Sequence, residues 1–160
     1  MKKFFSGLIK YESLFATLIL IAICMLAFTQ VCTRYIFKVP TPWIEETTRY
    51  LMIWMIFLGW GLCAAKREHL QVDLADLILS KDKLRVLTIA LDAVVIIFGI
   101  FFTYISAMFT YNQMIIGQLS PAMQLPITIV YLALPIGGVL FTIYSIFALY
   151  EVLGAGKSGE

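Results

Sequence analysis

The chain has 160 residues, of which 61% are hydrophobic and 14% are charged, and its formal net charge is +2. Soluble domains average about 45–50% apolar and about 25% charged residues, so this composition indicates an integral membrane protein. The apolar runs leave connections of at most about twenty residues, which excludes a separate soluble domain of ordinary size. The positive charges are few and spread over loops, so nucleic acid is not an expected partner.

Four apolar runs predict an all-α membrane protein with a single membrane domain over residues 1–160. The predicted spans cover about residues 13–32, 48–65, 86–109 and 126–150. The first run, as a helix of about 30 Å, is long enough to cross the hydrocarbon core. It is too long for a signal peptide and has no small-residue cleavage site after it, so we expect a retained helix. In the fourth run, Pro135 followed by Gly137 and Gly138 predicts a bend and a close helix contact.

Two short amphipathic helices on the membrane surface are also predicted. Thr41 followed by Pro42 suits an N-cap and a first helical position, so we place one surface helix at about residues 42–48, as a charged foot of the second span. The other covers about residues 70–80, where leucines recur at three- and four-residue spacing with acidic residues offset from them.

The distribution of positive charge predicts that both termini are cytoplasmic. Of the 12 lysines and arginines, only Arg34, Lys38 and Arg49 fall on the side opposite the termini. Cytoplasmic loops carry the excess of positive residues in membrane proteins. The segments that hold Glu45 and Ser120 are therefore expected to face outward.

The start of the second helix concentrates charged residues at the outer boundary. Glu45 and Arg49 are four residues apart and Glu46 and Arg49 three apart, so both carboxylates can reach one guanidinium on a helix. One interpretation is an ion-pair cluster that fixes the depth of the helix, with Trp43 at the interface; the other is a contact patch for a second protein. A catalytic carboxylate pair is disfavoured, because no other acid, base or nucleophile is grouped with them.

The second span itself carries large aromatic and small residues. Tyr50, Trp54 and Trp60 form a broad surface that can bury against another helix bundle or pack within this chain. Gly59 and Gly61 favour a close approach between helices. These residues are therefore candidates for a protein interface inside the membrane.

The cytoplasmic end of the second helix carries a dense group of polar residues. These are Lys66, Arg67, Glu68 and His69, with Asp73 shortly after. Such a group is typical of a stop-transfer cluster among headgroup phosphates, and the alternative is hydrogen bonding at the interface or to a partner. Because His69 is the only histidine, ligation of haem by two histidines of this chain is excluded, and no grouped ligands indicate a zinc site. We expect no catalytic residue, cofactor or metal site in this chain.

Asp92 is the one acid inside a predicted span. Intramembrane carboxylates are functional candidates by default. This one lies within about two turns of the cytoplasmic end. It can therefore reach headgroups or the surface helix, or it can bind an ion or a partner.

An ordered set of motifs resembles a known family. The set comprises Trp43, Glu45-Glu46, Arg49-Tyr50, Trp54, Leu58-Gly59, Arg67-Glu68-His69 and Val72-Asp73, followed by Ser120-Pro121, Leu125-Pro126, Tyr131 and Pro135. With four spans, it resembles the small membrane subunit (Q subunit) of tripartite ATP-independent periplasmic (TRAP) transporters. The resemblance covers nearly the whole chain.

This resemblance implies a complex in the bacterial inner membrane. A large membrane subunit would carry the substrate and sodium sites and move like an elevator. A periplasmic substrate-binding protein would deliver an organic acid such as a sialic acid or a C4-dicarboxylate. The small subunit would scaffold the large one, contact phospholipids, help to dock the binding protein and bind no cofactor of its own. Because the chain ends soon after the fourth span, we expect a separate subunit rather than half of a fused permease.

Two other function classes remain open from the residues alone. A small self-sufficient transporter or exporter acting as an oligomer would need an essential carboxylate deep in a span. Glu45 and Glu46 lie at one boundary and Asp92 near the other. A membrane enzyme or electron-transfer subunit is the third class, which the absence of a nucleophile with a base disfavours.

Overall fold

The computed structural model describes residues 2–66 and 81–155, and these residues form helices joined by short connections. The helices are α1 (Lys2–Tyr35), α2 (Pro42–Lys66), α3 (Lys81–Ile116), α4 (Thr128–Tyr131) and α5 (Ala133–Ala155). Four segments are long and apolar enough to cross a membrane: Gly7–Tyr35, Pro42–Ala65, Val86–Ile116 and Thr128–Tyr150. The predicted all-α fold with four transmembrane segments is therefore confirmed. The predicted surface helix at 70–80, together with Arg67, Glu68, His69 and Asp73, lies outside the described residues.

Helix α3 extends beyond its apolar run, because turn chemistry rather than hydropathy ends it. α3 continues to Ile116, and Gly117 follows it with a φ of +64°. The Gly117 amide donates to the Gln113 carbonyl at 3.1 Å, the arrangement of a left-handed helix cap. Residues 42–48 are the first two turns of α2 instead of a separate surface helix, since no proline or glycine interrupts the backbone before Gly59.

A break divides the fourth span one turn before Pro135. Leu132 separates α4 from α5. Because proline has no amide hydrogen, the Tyr131 carbonyl has no helical donor four residues later. The Thr110 hydroxyl of α3, which also contacts the Ser106 carbonyl, lies 3.1 Å from the Tyr131 carbonyl. A side chain of the neighbouring helix thus compensates for the proline.

Helix α5 is the central helix of the bundle. It packs between α2 and α3, and α1 packs on α2. Glycines permit this closeness: a Cβ at Gly137 would lie 2.7 Å from the Phe57 Cβ of α2, and one at Gly138 would lie 2.7 Å from the Thr103 Oγ1 of α3. The buried core is centred on Phe141 and Tyr144 of α5. The loop end is the side of the bundle with residues 36–41 and 117–127, and the terminal end is the side with the start of α1 and the end of α5.

Candidate functional site

At the loop end, Glu46 of α2 fixes the connection between α3 and α4. Its Oε2 accepts hydrogen bonds from the amides of Ala122 at 3.0 Å and Met123 at 2.9 Å. Its Oε1 accepts the Tyr50 hydroxyl at 2.6 Å. The Glu46 side chain is buried, and all these partners belong to this chain. The described hydrogen bonds of Glu46 and of the Tyr50 hydroxyl are therefore made within the subunit, and the contact with a partner predicted for both residues stays a prediction.

The connection held by Glu46 is a compact hairpin-like loop over residues 117–127. Ser120 is fully buried at its centre. The Ser120 amide donates to the Leu125 carbonyl at 2.8 Å, and the Gln124 amide donates to the Ser120 carbonyl at 3.1 Å. Gln124 has a φ of +56°, a left-handed conformation that closes the turn. Leu119 and Pro126 form an antiparallel bridge that joins the two sides. The loop thus has a defined shape at the loop end.

Glu45 and Arg49 form an exposed pair beside this loop. The Arg49 Nη2 lies 3.2 Å from the Glu45 Oε1, and their side chains are 68% and 59% exposed for Arg49 and Glu45 respectively. Of the two carboxylates predicted to reach Arg49, the described contacts include Glu45 alone, because Glu46 faces inward. Trp43 is also exposed at this end. These three residues, here termed the Glu45 patch, are available to another molecule.

A polar pocket of about 380 Å³ adjoins the Glu45 patch between the end of α1 and the start of α2. Arg34, Lys38 and Glu45 line it together with uncharged residues, so it presents both signs of charge. The Thr33 hydroxyl of α1 lies 3.2 Å from the hydroxyl of Thr41, which lines the pocket just before α2. The loop end therefore combines a recess, exposed charges of both signs and a fixed loop.

Within the membrane, the residues predicted as an aromatic interface differ in how far they pack inside this chain. Trp60 stacks on Phe141 with ring centroids 4.0 Å apart and meets Phe102 edge-on at 5.0 Å. Of the two alternatives left open for Trp60, the described contacts show packing within the bundle, because α5 lies against this side of α2. Trp54 is partly buried. A Cβ at Gly59 would meet no described atom within 4 Å, so its predicted close helix approach is not made within the chain.

A buried carboxylate that the sequence did not indicate lies nearer the terminal end. Glu12 of α1 is 7% exposed and accepts a short hydrogen bond from the Tyr144 hydroxyl of α5. Gly61 of α2 makes room for it, since a Cβ there would lie 2.9 Å from the Glu12 Oε1. This contact joins α1 to α5, whereas the α1 backbone packs only on α2 among the described helices. The only sequence signal was an acid immediately before an apolar run.

The Tyr144→Phe substitution is expected to destabilise the protein by about 1–3 kcal/mol, because it removes the described hydrogen-bond donor of a buried carboxylate. Thermal unfolding of the full chain in detergent measures this. Tyr150→Phe is the matched control, since Tyr150 is 60% exposed on the same helix. Equal melting temperatures for the two variants would show that the contact contributes no stability.

The remaining candidates give no grouped metal or thiol site in the described residues. Asp92 is 1% exposed, so it is enclosed by protein and not directed at headgroups. No three histidine, cysteine, aspartate or glutamate side chains come together anywhere in residues 2–66 and 81–155. Lys66 is the last residue of α2. Cys24, Cys32 and Cys63 are free thiols.

Comparison with known proteins gives one family. The family model described as "Tripartite ATP-independent periplasmic transporters, DctQ component" matches residues 23–154. The match includes the Glu45 patch, Glu46, the 117–127 loop and the central helix α5. No curated protein matches the sequence significantly.

Proposed function

Because the chain belongs to the DctQ component family of tripartite ATP-independent periplasmic transporters, we propose how it serves such a transporter. It is the non-catalytic small permease subunit of a sodium-coupled system for an organic acid, of sialic acid or C4-dicarboxylate type, in the bacterial inner membrane. It scaffolds the large membrane subunit and contacts phospholipids. It holds no cofactor of its own, and sodium ions bind to the large subunit.

We propose that the subunit also helps to dock the substrate-binding protein, and this rests on the different roles of Glu45 and Glu46. Glu46 is used internally to fix the 117–127 loop. Glu45 with Arg49 stays exposed beside the loop and the polar pocket. The loop end is periplasmic in this proposal, as the positive-inside rule predicts, and so faces a soluble substrate-binding protein.

The proposed role as a scaffold is supported by the apolar side chains that the membrane segments expose. Large apolar side chains are exposed on α3 and α5, for example Ile97, Phe101 and Ile143. The intramembrane carboxylate of Glu12 binds a tyrosine of the same chain, and Thr103 and Thr142 donate to carbonyls of their own helices. The membrane surface is therefore suited to contact lipid or another apolar protein.

Reconstitution tests the proposal. The chain should drive no uptake of a sialic acid or C4-dicarboxylate in liposomes when present alone. With the large subunit, the binding protein and a sodium gradient, uptake is expected. Arg49→Glu should reduce binding-protein-dependent uptake about tenfold, because it reverses one charge of the Glu45 patch.

Lys10→Glu is the matched control, since Lys10 is also an exposed cation but lies near the terminal end. It should leave uptake unchanged. Sodium-driven uptake by this chain alone would instead identify a self-sufficient oligomeric transporter. Equal uptake by the Arg49→Glu variant and the unsubstituted protein would remove the docking role of the patch.

A further inference from the structure

We infer that the membrane face around Tyr104, formed by α3 and α5, binds a transmembrane helix of the large subunit that carries a hydrogen-bond acceptor at mid-membrane. The inference rests on the proposed function, because it assigns a position to the partner named there. Three observations carry it: the depth of Tyr104, the exposure of its hydroxyl and the groove beside it.

The packing of the helices places Tyr104 near the middle of the apolar layer. It lies 12 residues from Ile116 and 18 from Val86, the ends of its membrane segment. Its neighbour Phe102 stacks on Phe57 of α2 at 6.0 Å. Phe57 in turn lies about 12 Å along the helix from Arg49 and about 14 Å from Lys66, at 1.5 Å per residue. The level of Tyr104 is therefore about midway between the charges that flank α2.

At this depth, lipid cannot supply the hydrogen-bond acceptor that an exposed phenol needs. Tyr104 is 70% exposed. Among the described residues its hydroxyl makes no hydrogen bond, unlike the buried Tyr144. Side chains on a helix lean toward its N-terminus, so this hydroxyl points away from the loop end and cannot reach that interface. A hydroxyl left without a partner in hydrocarbon is costly, which favours a protein acceptor over lipid.

Other exposed tyrosines show the contrast. They are Tyr11, Tyr35, Tyr111 and Tyr150, and each lies within five residues of an end of its membrane segment. Such positions are typical of the aromatic belts at the two membrane interfaces, where water and headgroups satisfy the hydroxyl. Depth alone therefore distinguishes Tyr104 from this group, and the belt explanation does not apply to it.

The groove beside Tyr104 has room for side chains of a neighbouring helix. It has a volume of about 290 Å³ and is lined by Ile100, Thr103, Tyr104, Val139, Thr142 and Ile143. The Thr103 hydroxyl donates to the Gly99 carbonyl at 2.7 Å, and the Thr142 hydroxyl donates to the Gly138 carbonyl at 2.8 Å. The walls are thus apolar toward the membrane, and Tyr104 is the exposed lining residue whose hydroxyl makes no hydrogen bond among the described residues. This combination fits an apolar helix with one polar acceptor.

Photocrosslinking of the intact complex tests the assignment. p-Benzoylphenylalanine in place of Tyr104 is introduced into the full chain, which is co-expressed with the large subunit and the binding protein. Irradiation should give an adduct with the large subunit. The same label in place of Ile21 is the depth-matched control, since Ile21 is 54% exposed at the midpoint of Gly7–Tyr35.

The outcomes separate this inference from the proposed function. Failure of the two membrane subunits to co-purify would contradict the proposed function and the inference with it. Co-purification with only lipid adducts, adducts to a second copy of this chain, or equal large-subunit yields at both positions would overturn the Tyr104 face alone.

A second measurement addresses the hydroxyl itself. Tyr104→Phe should weaken association of the two membrane subunits in detergent by about three- to thirtyfold, the range expected for one interhelical hydrogen bond in a membrane. Tyr111→Phe, an exposed tyrosine nearer the loop end of the same helix, should leave association unchanged. Unaltered association of the Tyr104→Phe variant would exclude the acceptor from the proposed contact.

Discussion

The Gly137→Val substitution is expected to lower the free energy of unfolding by about 1–3 kcal/mol or more and to loosen the contact between α5 and α2. A Cβ at this position already lies 2.7 Å from the Phe57 Cβ and 2.8 Å from the Phe57 carbonyl oxygen. The second of these atoms belongs to the backbone, so a rotamer change cannot relieve the clash. Thermal unfolding of the full chain in detergent, followed by the fluorescence of its three tryptophans, measures the loss.

Gly59→Val provides the control for this prediction. It adds the same atoms to another glycine of a membrane-spanning helix, but no described atom lies within 4 Å of a Cβ there. Its effect on the isolated chain should stay within about 0.5 kcal/mol. Similar melting temperatures for the two variants would contradict the close approach of α5 to α2.

Glu46→Ala should release the 117–127 loop. The substitution removes the acceptor of the Ala122 and Met123 amides and of the Tyr50 hydroxyl. Hydrogen exchange of the loop amides is expected to rise about tenfold or more, since their described hydrogen-bond acceptor is lost. Binding of the substrate-binding protein should weaken as well, because the loop would no longer be held beside the Glu45 patch.

Glu45→Ala is the matched control for Glu46→Ala, because it removes the neighbouring carboxylate without removing the acceptor of the loop amides. The two glutamates are adjacent and have the same charge, but Glu45 makes an exposed ion pair. Such pairs contribute little to stability, so loop exchange should stay unchanged while docking weakens. If the two variants gave equal exchange rates in the loop, the anchoring role of Glu46 would be wrong.

Hydropathy predicted the four spans because a bilayer requires long apolar helices whatever their neighbours are. The sequence could not predict the different roles of Glu45 and Glu46. Adjacent residues on a helix point about 100° apart, and which of them meets the 117–127 loop depends on packing between segments some 76 residues distant. The same limit applies to Trp60, whose stacking partner lies on α5.

Glu12 shows a second limit of sequence reasoning. It directly precedes the first apolar run and has the pattern of a flanking interfacial residue. Its burial depends on Tyr144, which lies 132 residues away in the chain. Helix ends were also harder to predict than the helices themselves. The predicted third span ends at residue 109, whereas α3 continues to Ile116 and ends where Gly117 takes a positive φ.

The central position of α5 has a consequence for how the protein is made. Helices α2 and α3 are consecutive among the described helices, but their backbones do not pack on each other. They meet through the rings of Phe57, Trp60 and Phe102, and each packs closely along α5. During synthesis, α1 and α2 can pair as soon as both enter the membrane, whereas α3 meets the helix on which its backbone packs only when α5 follows. Assembly of the described helices is therefore completed by the fourth span, and a chain truncated before Ala133 would lack the helix on which both α2 and α3 pack.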